Sequence, residues 1–380
     1  MDKNAKFIIE MLNNHGYEAY AVGGAVRDMI MGRKSDDWDI TTSALPHETK
    51  KVFSDYPVIE TGIKHGTVGV VIDHTVYEVT TYRTENGYAD SRHPDSVTFV
   101  RDLESDLARR DFTVNAIAYS DENGFVDLYG GREDIKSKII KTVGNPFERF
   151  SEDALRILRA LRFASVLGFE IEENTANAAF QLAHTLKKVS PERIYVELKK
   201  LLLGINAQNV IDKYKDVLSA VIKINGNPEL VSQMPDDIAM RLTCLCGEYV
   251  TETLGFLKAD NHVKHICSLL INSTPIPEDR TEIKKYISKL GRVDALSVVT
   301  YRRSRYGEDK NGVAEQILMS YECLFVQDLE IKGNDLLELG FKGKSIGLLL
   351  DKVLLSVIEG KIENKKESLL AAVKNIDNRQ

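Results

Sequence analysis

The chain is 380 residues long, 43% hydrophobic and 28% charged, with a formal net charge of -7. That length supports two to four domains with substantial cores, and the composition is that of an ordinary globular protein rather than a fibrous or disordered one. No apolar run approaches the ~20 residues of a bilayer-spanning helix, and the acidic balance argues against a nonspecific polyanion binder while leaving room for one basic face.

The first residues, MDKNAKFIIEMLNNHG, lack a signal peptide's apolar core and cleavage site, so a cytoplasmic location is expected. Phe7, Ile8, Met11 and Leu12 recur at helical spacing and predict a helix over 3–14 that stops near Gly16. A strand over 18–22 follows, then a Gly23-Gly24 turn and a short helix over 25–31. The second strand covers 37–41, and Pro46 opens a helix through Phe53. Residues two apart in a strand share a face, so Asp37 and Asp39 point one way and Trp38 the other. Paired carboxylates repel unless a cation sits between them. A glycine turn able to cradle phosphate, just ahead of such a pair, points to nucleotide chemistry.

Strands over 67–72 and 75–82 then form a hairpin through an Asp73-His74 turn. Glu78 lies in its second arm between Tyr77 and Val79, which should face the core. Residues 83–96, RTENGYADSRHPDS, read as a long mobile loop. RRDFTVNAIAYS, FVDLYGG and a helix–strand unit ending near Gly144 complete one α+β domain over 1–145.

Beyond Pro146 strand signals almost vanish. Helical periodicity covers 152–167, 173–186 and 191–203 and continues to the end, with weak boundaries near Gly204, Pro275-Ile276-Pro277 and Gly333. Ser151 reads as an N-cap, with Glu152 and Asp153 in the first turn. Ala154, Ile157, Leu158 and Leu161 form the buried face, and Glu152, Asp153, Arg156 and Arg159 gather opposite. Taken alone, that is a solvated face of salt bridges. The four cysteines are too few for a disulfide scaffold. Cys244, Cys246, His262 and His265 match no usual zinc spacing, and the cysteines read as small buried hydrophobes.

The motifs GGAVRD (23–28), DWD (37–39), YEVTTYR (77–83), RRDFTVNA (109–116), GGRED (130–134) and SEDALRILRALRF (151–163) are each weak alone. Their order and spacing closely resemble the class II tRNA nucleotidyltransferases, the bacterial CCA-adding enzymes, which share a polymerase-beta-like head with bacterial poly(A) polymerases. The resemblance covers 17–205 and continues more faintly at 331–354, which is similar to the family's tail. It implies an α+β fold: a nucleotidyltransferase head with a mixed or antiparallel sheet (1–145), then an all-helical neck (146–204), body (205–330) and tRNA-binding tail (331–380).

The implied reaction is template-independent addition of CCA to tRNA from CTP and ATP, by two-magnesium nucleotidyl transfer. The resemblance makes Asp37 and Asp39 the Mg2+ ligands and Glu78 a third carboxylate. Gly23, Gly24 and Arg27 would hold the triphosphate, with Arg110 and Asp111 on ribose and phosphate; Arg109 reads as a solvent-facing charge. Asp153 and Arg156 match the positions that read the incoming base, and Arg159 and Arg162 would hold phosphate or orient Asp153. The 83–96 loop, with Asp90, Arg92 and Pro94 in family-like places, favours complete CCA addition. Lys187, Lys188, Lys199, Lys200, Arg302, Arg303 and Arg305 are candidate tRNA contacts. The alternatives are a poly(A) polymerase, a CC-adding or A-adding enzyme, and a silent RNA-binding protein. The last would be expected to have shed the carboxylates that this chain keeps.

Overall fold

In the computed structural model, which describes residues 1–86 and 96–377, helix α1 (Lys3–Asn14) forms where its apolar spacing predicts. Asp2 caps it, accepting from the backbone N–H of Asn4 and Ala5. The chain divides into two compact units, residues 1–223 with 256–258, and residues 224–255 with 259–380.

The first unit is built on a seven-stranded sheet. After β1 (Ala19–Val22) come α2 (Gly24–Ile30), β2 (Asp39–Thr42), α3 (Pro46–Val52) and the short β3 (Val58–Ile59). The hairpin of β4 (Thr67–Ile72) and β5 (Thr75–Thr81) turns through Asp73 and His74 at φ 49° and 64°, the left-handed geometry that two-residue hairpins favour. Later strands β6 (Arg83–Asn86), β7 (Ser96–Phe99), β8 (Ile117–Ser120) and β9 (Gly124–Asp127) flank α4 (Leu103–Ala108). The sheet order is β3-β4-β5-β2-β1-β8-β9, with β2 and β5 parallel and the other pairs antiparallel. It is a mixed sheet, as expected.

The 83–96 segment is more ordered at its ends than a loop. Strands β6 and β7 pair antiparallel, Arg83 opposite Phe99 and Asn86 opposite Ser96. Asp90, Arg92 and Pro94 lie outside the described residues.

Helix α5 (Gly131–Ser137) starts where the Asp127 carboxylate accepts from the Gly131 and Arg132 N–H groups. A Cβ on Gly131 would lie 2.1 Å from the Thr113 carbonyl oxygen, so only glycine fits there. After β10 (Ile139–Ile140), the predicted helix over 152–167 begins three residues later, as α7 (Leu155–Leu167), and a short helix not predicted from the sequence, α6 (Pro146–Glu152), precedes it. Ser151 is therefore not an N-cap: it lies in the last turn of α6, which Asn145 caps. Asp153 leaves the helix at φ -139°, ψ 104°, and its carboxylate accepts from Leu155 N–H at 3.0 Å. Helix α6 buries only Phe150, so it carries no apolar stripe that would announce it in the sequence.

Next come β11 (Glu170–Ile171), α8 (Glu173–Leu182), α9 (Pro191–Leu202) and α10 (Ala207–Leu218). Helix α9 packs along α7, with Ser165 Oγ donating to the Leu201 carbonyl at 2.6 Å. The described residues of the second unit contain helices and no strands. Two apolar clusters organise it, one around Ile283, Ile287 and Ile317, the other around Leu336, Val353 and Leu369. No helix among the described residues is long and apolar enough to cross a membrane.

Candidate active site

Strand register brings the carboxylates together. β2 pairs with β5 with Ile40 opposite Val79, so Asp39 and Glu78 occupy neighbouring positions on adjacent strands. Glu78 is exposed while Tyr77 and Val79 are buried, as the alternation requires. Asp39 is the first residue of β2, and Asp37 precedes the strand instead of lying in it. Between them the Trp38 ring turns into the protein, its indole N–H donating to the Ser35 carbonyl at 3.0 Å.

Gly23 ends β1 at φ +76°, and a Cβ there would lie 3.5 Å from Asp39 Oδ2 and 3.6 Å from Arg110 Nη1. The glycine thus clears a space in which a carboxylate, a guanidinium and the backbone converge. Helix α2 has only two turns, so local N–H groups rather than a long macrodipole face that space. Arg27 of α2 is buried, paired with Asp28 at 2.9 Å and donating to Asn115 Oδ1 at 2.8 Å.

These groups open into a cleft of about 570 Å³. Ten of the expected site residues line it: Gly23, Gly24, Arg27 and Asp39, then Arg110 and Asp111, then Asp153, Arg156, Arg159 and Arg162. Asp37 and Glu78 do not line it. Eight arginines face it against three aspartates, so the cleft carries surplus positive charge suited to a polyphosphate.

The arginines are held in place by acidic groups and one aromatic ring. Asp111 accepts from Arg159 Nε at 2.7 Å and from Phe112 N–H at 2.9 Å. Burial alone would raise its carboxyl, yet the Arg159 guanidinium holds it below the usual carboxylate range. Arg162 meets the Glu197 carboxylate of α9 at 2.6 Å. The Phe163 ring lies against three guanidiniums, 3.7 Å from that of Arg162 and 5.5 Å from those of Arg27 and Arg159.

At the α6–α7 break, Arg193 of α9 pairs with Asp153 at 2.8 Å. Arg193, not Arg159 or Arg162, therefore orients that carboxylate. Arg156 is buried rather than solvent-facing; it pairs with Glu152 and donates to the Arg149 carbonyl at 3.1 Å. Arg109 also departs from expectation, lining the cleft and pairing with Asp106 at 2.8 Å.

Asp106, Asn115, Phe163, Arg193 and Glu197 are the site residues that sequence reasoning missed. Two had a local signal: Asp106 stands three and four residues before the arginine pair, and Glu197 one helical turn after Arg193. Among the candidate tRNA contacts, Lys187, Lys188, Lys199 and Lys200 are exposed. Arg302 is buried against Glu308 and the Ser273 carbonyl, Arg303 pairs with Asp309 and Glu315, and Arg305 with Asn227. Those three are structural arginines of the second unit.

The donor set fits a hard divalent cation. Burial and the Asp37 charge push the Asp39 carboxyl up to about 6, with Arg110 opposing and Glu78 adding to the rise. Carboxylates gathered with too little compensating charge are what a divalent cation stabilises. Among the described residues no three His, Cys, Asp or Glu side chains stand close enough to hold a metal by themselves. Two carboxylates completed by water and substrate phosphate oxygens would suffice for such an ion.

Comparison with known proteins supplies the family. The model for the poly A polymerase head domain matches residues 19–141, that described as the probable RNA and SrmB-binding site of polymerase A matches 168–216, and that for tRNA nucleotidyltransferase domain 2 matches 242–373. The CCA-adding enzyme of Ligilactobacillus salivarius is 37% identical, over 98% of this chain and 96% of its own. That of Geobacillus stearothermophilus is 38% identical, over 96% and 94%. The crystal structure of the Bacillus stearothermophilus CCA-adding enzyme in complex with CTP superposes with a TM-score of 0.84 at 33% identity, covering 100% of this chain and 99% of that one. With likeness of that level along essentially the whole length, this chain belongs to the CCA-adding enzymes, the bacterial tRNA nucleotidyltransferases.

Proposed function

We propose that this chain builds and repairs the 3′-terminal CCA of tRNA, taking CTP and ATP in turn and releasing pyrophosphate without a nucleic-acid template. One observation carries the reading: Asp39, a ring of arginines and the Asp153–Arg156 pair converge on a single cleft. One metal-side carboxylate, cations for a triphosphate and an acceptor–donor pair for a base thus share one space, and this supports the reading.

The family generally works with a divalent metal ion. We assign it as Mg2+ held by Asp37 and Asp39, with Glu78 alongside; bound there, it supplies charge to the attacking hydroxyl and the departing pyrophosphate. Gly23 and Gly24 let the backbone approach the triphosphate, while Arg27, Arg110, Arg159 and Arg162 meet its oxygens. Asp111 holds Arg159 Nε and Nη2 on Oδ2, both at 2.7 Å, and Phe112 N–H on Oδ1. We assign it to the ribose, whose hydroxyl would take the place of the long 3.4 Å contact from Asn115 on Oδ1.

Cytosine and adenine each present an amino donor beside a ring-nitrogen acceptor. Asp153 accepts from the first and Arg156 donates to the second. Uracil and guanine reverse both groups, and each mispaired buried group costs ~1–3 kcal/mol. Asp153 already takes Leu155 N–H on one oxygen and Arg193 on the other. An ionised carboxylate keeps a second lone pair on each, so it is oriented without being used up.

The exposed lysines at 187, 188, 199 and 200 suit A-form RNA, which is recognised through shape and backbone. A division into head, neck, body and tail at 145, 204 and 330 accords with this use, as does a cytoplasmic location. The test is incubation with tRNA lacking its terminal trinucleotide, with CTP and ATP given separately and together. Ordered addition of two C and one A is expected, and A-tailing of unstructured RNA would overturn the reading.

A further inference from the structure

We propose that Asp106 is a positioning residue: it holds the Arg110 guanidinium on itself and so keeps that cation from collapsing onto Asp39. Asp106 sits near the end of α4 and is completely buried. Its carboxylate accepts from Thr41 Oγ1 at 3.1 Å, from Arg109 Nε at 2.9 Å and from Arg110 Nη2 at 3.2 Å. Thr41 stands two residues after Asp39 on β2 and shares its face. One buried group therefore ties the metal-side strand to both arginines of the RRD motif.

The two ends of the Arg110 fork have different neighbours. Nη2 is on Asp106, while Nη1 and Asp39 Oδ2 both border the space beside Gly23, where the Arg110 charge acts on the Asp39 carboxylate. Arg110 Nε is buried without a hydrogen-bond partner, so the Asp106 contact decides where the guanidinium rests. A buried ion pair is often replaceable by apolar side chains without loss of stability. A fully buried aspartate gripping two arginines that both line the cleft is thus better explained by the placement of those arginines. Without it, Arg110 has Asp39 as its nearest open carboxylate and competes with a divalent cation for that oxygen. The inference rests on Asp39 being a metal ligand, as proposed above.

The test is a Mn2+ titration of the full chain without nucleotide, followed by the emission of Trp38. It is the chain's only tryptophan and stands between Asp37 and Asp39. The wild type should saturate and Asp39→Ala should not; a saturable response surviving in Asp39→Ala, or absent from the wild type, would overturn the metal assignment itself. Given that control, Asp106→Asn should raise the half-saturating Mn2+ about tenfold, the worth of one charge-assisted contact. The double variant Asp106→Asn/Arg110→Gln should bring it back toward the wild type, because the competing cation is gone. A purely structural role for Asp106 would not produce that recovery. If Asp106→Asn fails to fold, Thr41→Val, which removes the hydroxyl anchor of the same carboxylate, should shift half-saturation the same way by roughly two- to threefold. A folded Asp106→Asn with wild-type half-saturation, a double variant no better than the single, or an unshifted Thr41→Val would each refute the proposal.

Discussion

Replacing Arg193 by methionine keeps the side-chain stem and removes the charge that orients Asp153. The ion pair between them spans 2.8 Å, and its side chains are 25% and 14% exposed. A hydrogen bond to a charged group contributes ~1.5–3 kcal/mol, and water reaching the quarter-exposed guanidinium puts this one at the low end, about 1.5 kcal/mol. That corresponds to roughly tenfold. Asp153 would keep only the Leu155 N–H and could turn away from the base. It would then accept less from the amino group of C or A and repel the carbonyl of U or G less. Single-nucleotide kcat/KM should therefore fall roughly tenfold for CTP and ATP and hold or rise for UTP and GTP. An equal decrease for all four nucleotides would refute the argument and make Arg193 a phosphate contact, a role its buried, unpartnered Nη1 could serve.

Three further substitutions probe other parts of the site. Asp39→Ala should abolish addition while gel-shift affinity for tRNA stays close to wild type; abolished binding with residual addition would reverse the metal assignment. Glu197→Gln leaves Arg162, and more distantly Arg159, without its buried counter-charge. It should lower stability by ~3 kcal/mol in denaturant titration, and saturating CTP should recover more of that deficit than it adds to the wild type. Gly131→Ala forces a Cβ onto the Thr113 carbonyl and should cost ~1–3 kcal/mol in thermal unfolding. An unchanged melt there would mean that the chain shifts freely at this point.

Periodic segments are the legible part of the sequence. Helix α1 and the β4–β5 hairpin follow from it almost to the residue, because one has a clean apolar stripe and the other a two-residue turn between alternating strands. The break at Asp153 does not, since α6 buries only Phe150 and has no apolar stripe to set it apart from the helix that follows. Aspartates and arginines in short motifs can be nominated from order and spacing. Their partners cannot: Arg193 lies 40 residues from Asp153, and Arg159 lies 48 from Asp111. Arg109 and Arg156 both look like surface charges in the sequence because charge alone carries no information on burial. Arg156 is buried on Glu152 and the Arg149 carbonyl of α6, and Asp106 holds Arg109 half-buried along the cleft.

The arginine-lined cleft also bears on how the reaction ends. If the guanidiniums receive the triphosphate as proposed, they meet the same β- and γ-oxygens after the bond to the α-phosphorus has broken. Those contacts are nearly as good for pyrophosphate as for the nucleotide, so they aid capture without favouring release. Departure of the product, and not its formation, is then the step that this charge arrangement slows. With pyrophosphate retained beside a freshly extended 3′ end, the chemistry stands close to running backwards. Net synthesis on such a cleft depends on the removal of pyrophosphate once it reaches solution.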